Sequence, residues 1–485
     1  MLTKRNGMAT AAARRLQVPI VWSMATGTNP NTLLADLIAE AGMSHGGLAH
    51  RVTELAVRKG LTAPRFNHAS VGRWLRGEQP RGTTPDLIAE VLTALLGRKI
   101  GREDVGMRPA RTAPVPGLEY APDLDTAIRA ATDLFGTDVH RRSILVRSTY
   151  TAMAFVTPAL RWLTAPASHL TERPGGRRIG DANVVAIREV TATFRRLDNM
   201  LGGGYARSTV VQYLADEVTP MLRGGAYTEK VGAALFSATA EMTLLAGWMA
   251  YDLEQHPIAQ RYLIQALRLA QEAGDEALGG EILAAMSCQA AYLGDGSDAV
   301  DMARVAAKSA QRAGSGRLLS EALASEAHGH ALAGDARSSA AVLAEAHRAL
   351  DGAGTDDPEW LSYFDDAYLA AKTGRALLDS GDTAGAVAAM RESLDMQGGY
   401  ERGRTFNLAV LGSALVDNGE LEEGCQVGAR AASAAANVVV DSVRAKTEVG
   451  ALGRRLARFA DAEPVRALAG SAPGLFSRPG AAGGR

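Results

Sequence analysis

The sequence predicts an all-α protein in two parts, a small helical bundle followed by a long solenoid of helix pairs. Three observations predict it. Apolar residues make up 47% of the 485 residues and aromatics only 5%, with alanine abundant, a mix that suits closely packed helices better than sheets. Apolar residues recur at helical spacing along most of the chain. In the second half, glycine followed by an acidic residue returns at a nearly regular interval. The length implies two or three domains.

Residues 1–28 read as a disordered basic leader carrying Lys4, Arg5, Arg14 and Arg15. Its short apolar piece, Val18 to Trp22, is too short for a secretory signal. Residues 29–105 read as the bundle. Leu33, Leu34, Leu37 and Ile38 share one helix face, and Gly42 stops that helix. Ser44 can cap a second helix whose face holds Leu48, Val52 and Leu55. A third helix spans about Asn67 to Arg76 and closes at Gly77, and a fourth runs from Pro85 or Asp86 to Leu96.

Pro109, Pro114, Pro116 and Pro122 mark 106–122 as a semi-rigid linker. Helices at about 123–134 and 138–164 open a connecting region, 123–230. Residues 231–465 hold about five repeats, and 466–485 read as a disordered tail. In the repeats, Gly247 is followed twelve residues on by Ala259, Gly374 by Ala386 and Gly412 by Gly424. Turn pairs Gly294-Asp295, Gly334-Asp335, Gly381-Asp382 and Gly419-Glu420 lie 38 to 47 residues apart. Two antiparallel helices approach closely only where neither carries bulk, and a glycine-acid pair supplies the turn between them. This is the tetratricopeptide-like pattern, with longer connections.

Residues 31–111 hold 12 Lys/Arg against 8 Asp/Glu. The net charge of the whole chain is −1, so a basic head precedes an acidic body, as expected for a nucleic-acid end and a sensor end. The only cysteines, Cys288 and Cys425, have no metal-ligand spacing and fit a reducing cytoplasm. No apolar run reaches the roughly 20 residues of a membrane span, so no membrane partner is expected.

The segment Ser70-Val71-Gly72-Arg73-Trp74-Leu75-Arg76-Gly77, with Pro80 after it and Met43-Ser44 before it, resembles the helix-turn-helix of the Cro/CI-like (Xre) class. In that class the third helix enters the major groove. Val71, Trp74 and Leu75 would pack inward. Asn67 would read adenine and Arg73 guanine through paired hydrogen bonds, and His68 would touch a base edge or phosphate. Arg65, Arg76 and Arg81 would neutralise phosphates, and Ser44 would present a helix N-terminus to one. Replacing Arg73 and Asn67 with alanine is expected to abolish selectivity with the fold intact. The chain departs from the class between Glu54 and Phe66, where about ten extra residues lengthen the second helix or expand the turn.

A wider resemblance rests on Gly27-Thr28-Asn29-Pro30-Asn31-Thr32, Ala41-Gly42-Met43-Ser44, Phe194-Arg195-Arg196-Leu197-Asp198-Asn199 with Gly202-Gly203-Gly204, Leu245-Ala246-Gly247-Trp248-Met249-Ala250-Tyr251-Asp252 and Ala259-Gln260-Arg261-Tyr262. In these the chain is similar to the actinobacterial NsdA-type regulators, associated with sporulation and antibiotic production. The resemblance implies a DNA-binding regulator with a tetratricopeptide-like body, and a translation start at Met24. It implies no particular ligand.

For the effector site, Arg404 and Asn407 on a first helix suit a carboxylate and a peptide backbone, with a solvated face as the alternative. Trp248 and Tyr251 would line a pocket or pack between repeats. Trp360, Tyr363, Phe364 and Tyr368 form a second aromatic patch. The Phe194–Gly204 stretch lacks a P-loop lysine and reads as a salt-bridged turn. His328 and His330, two apart, point to different helix faces and make a poor metal pair. No catalytic constellation emerges, so neither an enzyme, a cofactor nor a metal is expected. The expected function is a cytoplasmic homodimeric regulator, a repressor, that binds double-stranded DNA and takes a peptide, small-molecule or protein effector. The alternative is an interaction scaffold whose degenerate helix-turn-helix no longer binds DNA.

Overall fold

A computed structural model describes residues 30–59, 66–80, 83–107, 116–146, 148–165, 171–174, 176–354, 357–436 and 441–476. The leader 1–28, Arg65, Arg81 and the last nine residues lie outside the described residues. The chain is all-α and divides into two compact units, Met1–Pro114 and Val115–Arg485.

The first unit is a bundle of α1 (Thr32–Glu40), α2 (His45–Arg58), α3 (His68–Leu75) and α4 (Thr84–Leu96). Polar caps start three of these helices. The side chains of Asn31, Ser44 and Asn67 accept from the backbone N–H of Leu34, Gly47 and Ser70, each satisfying a donor that the first turn leaves free. Gly97, at φ +67°, closes α4. Leu34, Ile38, Leu48, Val52, Val71, Trp74, Ile88 and Leu92 form the core. Val105 and Met107 are buried in it too, and Asn31 Nδ2 donates to the Val105 carbonyl at 2.9 Å. Residues 106 and 107, expected in a linker, therefore belong to the bundle.

The second unit opens with α5 (Leu124–Val146), α6 (Val156–Thr164), α7 (Asp181–Leu201), α8 (Gly203–Tyr213) and α9 (Thr219–Gly224). Helix α5 runs unbroken through residues 134–138, where two helices were expected, because Phe135 and Asp138 face the interior. A two-residue parallel pairing joins Arg177–Arg178 to Gly225–Ala226.

Five helix hairpins follow in the described residues: α10 (Glu229–Asp252) with α11 (His256–Ala273), α12 (Glu276–Tyr292) with α13 (Gly296–Ala313), α14 (Gly316–Leu332) with α15 (Ala336–Asp351), α16 (Asp366–Asp379) with α17 (Thr383–Glu392), and α18 (Glu401–Asp417) with α19 (Leu421–Ala436). Then come α20 (Val443–Leu456) and α21 (Glu463–Ser471).

The four glycine turns read from the sequence are left-handed, with φ of +87° at Gly294, +79° at Gly334, +86° at Gly381 and +88° at Gly419. In the first hairpin Glu254 takes that conformation at φ +55°, and its carboxylate accepts from the Tyr292 hydroxyl at 2.7 Å. The twelve-residue offset marks real crossings. A Cβ on Gly424 would lie 3.5 Å from the Gly412 carbonyl oxygen, and Ser287 Oγ donates to the Ala299 carbonyl at 2.7 Å.

Helices α5 to α9 share one core with the first hairpins. Asp138 and Arg207 are 0% and 1% exposed at the side chain and form an ion pair, joined by the Tyr262 hydroxyl at 2.9 Å from Asp138. Trp162 Nε1 donates to Ser309 Oγ at 2.7 Å. Tyr120 reaches Gln271 at 2.7 Å, so residues 116–122, expected in the linker, are packed on α11. At the other end, Val465, Leu468 and Leu475 are buried against α19 and α20. Residues 466–476 are thus ordered, contrary to the expected tail, because those apolar side chains cover the last hairpin.

Among the described residues α10 alone is long and apolar enough to cross a membrane, and 67% of that stretch is buried inside this unit. It is the core helix against which α7, α8 and α11 pack.

Candidate nucleic-acid interface and the buried polar network of the second unit

In the first unit α3 buries Val71 and Trp74 and leaves His68, Arg73 and Arg76 exposed. Arg73 Nε lies 3.6 Å from Glu78, both side chains being about half exposed (49% and 61%). An exposed pair of this kind contributes little and is readily exchanged for a phosphate or base. Asn67 is exposed, but its Oδ1 accepts from the Ser70 amide at 3.0 Å and from Ser70 Oγ at 3.2 Å, closing a capping box. Its acceptor is committed, which corrects the expectation that it pairs with both edge atoms of adenine. Ser44 Oγ caps α2 through Gly47 N at 3.1 Å, leaving exposed N–H groups at His45 and Gly46.

The extra residues after Glu54 extend α2 to Arg58, and the insertion ends with Phe66 edge-on to Trp74 at 5.4 Å. Arg51 and, on the extension, Arg58 are exposed and share the Ser44 face by seven-residue spacing. The sequence reading did not select them. The heptad spacing from the capping serine was the available signal.

In the second unit the expected ligand pocket at Trp248 and Tyr251 is filled by the chain itself. The guanidinium of Arg444, from α20, stands 5.9, 4.9 and 4.6 Å from the ring centroids of Trp248, Tyr251 and Phe406. Cation–π attraction of this kind strengthens where water is excluded. Arg444 Nε is 3.5 Å from Asp252, which is also 3.4 Å from Arg402. Asp252 accepts from Ser442 Oγ at 2.8 Å and from the Gly203 amide at 3.0 Å. Arg402 pairs in turn with Asp198 at 3.1 Å and Asn199 at 3.1 Å. Burial pushes Asp198 up to about 6, and the Asp252 charge adds to it. Against the same burial, Arg402 and Arg444 hold Asp252 below the usual carboxylate range.

The Phe194–Gly204 stretch is therefore structural. Gly202 has φ +90°, the Gly204 amide donates to the Asp441 carbonyl at 3.0 Å, and a Cβ on Gly203 would lie 2.6 Å from the Met249 carbonyl oxygen. These glycines admit two crossing backbones. Gly203→Ala should cost about 1–3 kcal/mol, because the obstructing atom is helix backbone that cannot swing away. The urea midpoint of the 222 nm signal measures it.

Further along, the inner helices each project a stripe at three-, four- or seven-residue spacing. These include Glu281 and Cys288 on α12, Glu321, Ser325 and His328 on α14, and Tyr368, Lys372, Arg375 and Asp379 on α16. The Tyr363 hydroxyl lies 2.8 Å from Glu281 Oε1 and 2.7 Å from Glu321 Oε2. Lys372 Nζ is 2.9 Å from Cys288 Sγ, 3.2 Å from Ser325 Oγ and 3.9 Å from Glu321. Arg375 joins Asp379 at 2.9 Å to Glu448 of α20 at 2.8 Å. Trp360 is half-buried against the apolar clusters and Phe364 is fully buried. Buried charges are costly unless paired, and these groups are paired with one another across α12, α14, α16 and α20.

Burial alone would raise Asp379, but the His328 hydrogen bond at 2.9 Å and the Arg375 charge outweigh it and hold it at about 2. A carboxylate depressed below its unfolded value, about 3.9, stabilises the fold fully above pH 4 and loses that contribution as pH falls toward 2. Asp379→Asn should therefore flatten the loss of Tm between pH 4 and 2.

Arg404 and Asn407 do not line an open groove. Arg404 donates to the Leu394 and Met396 carbonyls at 3.2 and 3.1 Å, and buried Asn407 reaches the Ser393 carbonyl at 3.4 Å. They hold the chain's own turn after α17, with the chemistry expected for a peptide. His328 and His330 take separate partners, Asp379 and Glu326.

Residues 34–108 match the family of the SP15 N-terminal domain. The match spans α1 to α4 and ends one residue beyond Met107, so it describes the first unit. No curated protein matches the chain.

Proposed function

We propose that this protein is a DNA-binding transcriptional regulator, a cytoplasmic repressor akin to the NsdA-type regulators of development and secondary metabolism. The observation that carries the reading is α3, a doubly capped helix with its apolar side buried and His68, Arg73 and Arg76 exposed. The N-terminus of α2 and its Arg51 and Arg58 supply further phosphate donors. One such module buries too little surface to be selective, so the protein would bind as a homodimer on paired half-sites. The second unit, tetratricopeptide-like in its hairpin pattern, would dimerise and take an effector that prefers one of two body conformations.

Genomic fragment capture followed by fluorescence anisotropy at several salt concentrations tests this. Binding that weakens steeply with salt is expected. Equal, negligible binding to every duplex at low salt would leave the second reading, an interaction scaffold with a degenerate helix-turn-helix. One observation favours that alternative: Arg102, only 19% exposed, spends its charge on Asp86.

A further inference from the structure

We propose that Cys288 and Lys372 are an oxidation-sensitive pair, in which hydrogen peroxide closes a covalent bridge between Sγ and Nζ that clamps the second hairpin of the repeats to the fourth. The inference goes beyond the effector role proposed for the repeats and does not depend on DNA binding.

Both reacting atoms are already in contact. Lys372 Nζ, from α16, stands 2.9 Å from Cys288 Sγ, from α12, and the two residues are 84 apart in sequence. Ser325 of α14 touches both: its Oγ accepts from Nζ at 3.2 Å and lies 3.8 Å from the sulfur. The Tyr368 ring, its centroid 6.0 Å from Nζ, and Glu321, at 3.9 Å, hold the ammonium from other sides. A nitrogen and a sulfur held this close by three packed helices meet the distance of a near-attack pair. The other cysteine differs on every count. Thiolates rather than thiols react with peroxide, and reactive cysteines stand beside cations in partly exposed places. Cys288 is partly exposed and touches an ammonium. Cys425 is buried, and burial pushes its thiol up.

The chemistry balances with peroxide as the oxidant. Peroxide oxidises the thiol by two electrons to a sulfenic acid, and one water leaves. Burial alone would lower the Lys372 ammonium, but the Cys288 sulfur, Tyr368 and Glu321 outweigh it and raise it. Turning the sulfur into a neutral sulfenic acid removes the first of those supports, so Nζ gives up a proton to solvent. The amine then displaces the sulfenic hydroxyl. An S–N bond forms, the S–O bond breaks and a second water leaves, which makes the chain about 2 Da lighter. A second peroxide acting before that displacement oxidises the nitrogen instead and leaves the oxygen between the two atoms. Three waters leave in all, and the chain becomes about 14 Da heavier. Excess dithiol reduces either bridge back to thiol and amine.

Intact-mass and tryptic-peptide analysis of the full chain tests the proposal, after titration with hydrogen peroxide and alkylation with N-ethylmaleimide in denaturant. One bridge of either mass should form while Cys425 is still alkylated. Trypsin should stop cutting after Lys372, and a linked peptide pair carrying Cys288 and Lys372 should appear and then vanish on treatment with dithiothreitol. The thermal midpoint should rise by several degrees as the bridge forms and fall back on reduction, because a link across 84 residues restricts the unfolded chain. Lys372→Arg keeps a cation beside the sulfur, so its Cys288 should still gain oxygen but form no bridge. Cys288→Ala should form no bridge and gain no stability from peroxide. Cys288 that gains only oxygen in the parent chain, with trypsin still cutting after Lys372, overturns the proposal. So does a bridge that persists in Cys288→Ala, and a bridge that leaves the thermal midpoint unmoved overturns the clamp.

Discussion

Asp252→Ala should destabilise the second unit by about 3–5 kcal/mol, the range for breaking a buried ion pair by removing one partner. Asp252 is 0% exposed and serves four partners at once, Arg402, Arg444, Ser442 and the Gly203 amide. Its loss leaves two buried guanidinium groups, of which Arg402 keeps the Asp198 carboxyl and Arg444 keeps no ion pair among the described residues, and Asp198 itself is held high by burial. Three segments distant in sequence, α7–α8, α18 and the start of α20, would lose their common acceptor on α10. Asp252→Asn keeps the shape and some hydrogen bonds and should cost less. Arg444→Met keeps the packing against Trp248, Tyr251 and Phe406 and should be milder still, because it removes a charge together with its desolvation cost. Urea unfolding followed at 222 nm ranks the three. A loss under about 1 kcal/mol for Asp252→Ala would mean that water enters this hub and replaces the carboxylate.

The double variant Arg73→Ala/Arg76→Ala should weaken DNA binding at least about tenfold and lower the slope of log K against log salt by about two. Both side chains stand on the exposed side of α3, away from Val71 and Trp74, so the thermal midpoint should stay within about 1 °C of the parent, as for surface substitutions generally. Asn67→Ala behaves differently from the expectation drawn from the sequence. It removes the cap of α3 and should cost about 1 kcal/mol of bundle stability, so any loss of binding would be indirect. Asn67→Ser restores a capping oxygen and should restore binding with it. Unchanged affinity and salt slope in the arginine double variant would remove α3 as the reading helix.

What could be read from the residues alone is local. Ser44 caps α2, and Gly294, Gly334, Gly381 and Gly419 make the four left-handed turns, because capping and positive φ are settled within a few neighbouring residues. The inward face of α3 followed from the spacing of Val71 and Trp74 for the same reason. Asn67 shows the limit of such reading. Its residue type suits both a base and a helix start, and only the backbone conformation at that position decided between them.

The sequence by itself determined the all-α class, the hairpin register and the basic helix, since helical periodicity and turn chemistry act over spans shorter than one hairpin. The tertiary structure decided the rest. It put Arg444 into the ring cluster of Trp248 and Tyr251, turned Arg404 and Asn407 onto the chain's own turn, and brought Glu281 against Glu321 and Tyr363. The turn held by Arg404 and Asn407 is local, 8 to 14 residues away, whereas the other partners lie from 40 to nearly two hundred residues apart. Which polar groups meet inside a stack of helices depends on how each hairpin is rotated on the last, an outcome of packing that no short-range pattern records.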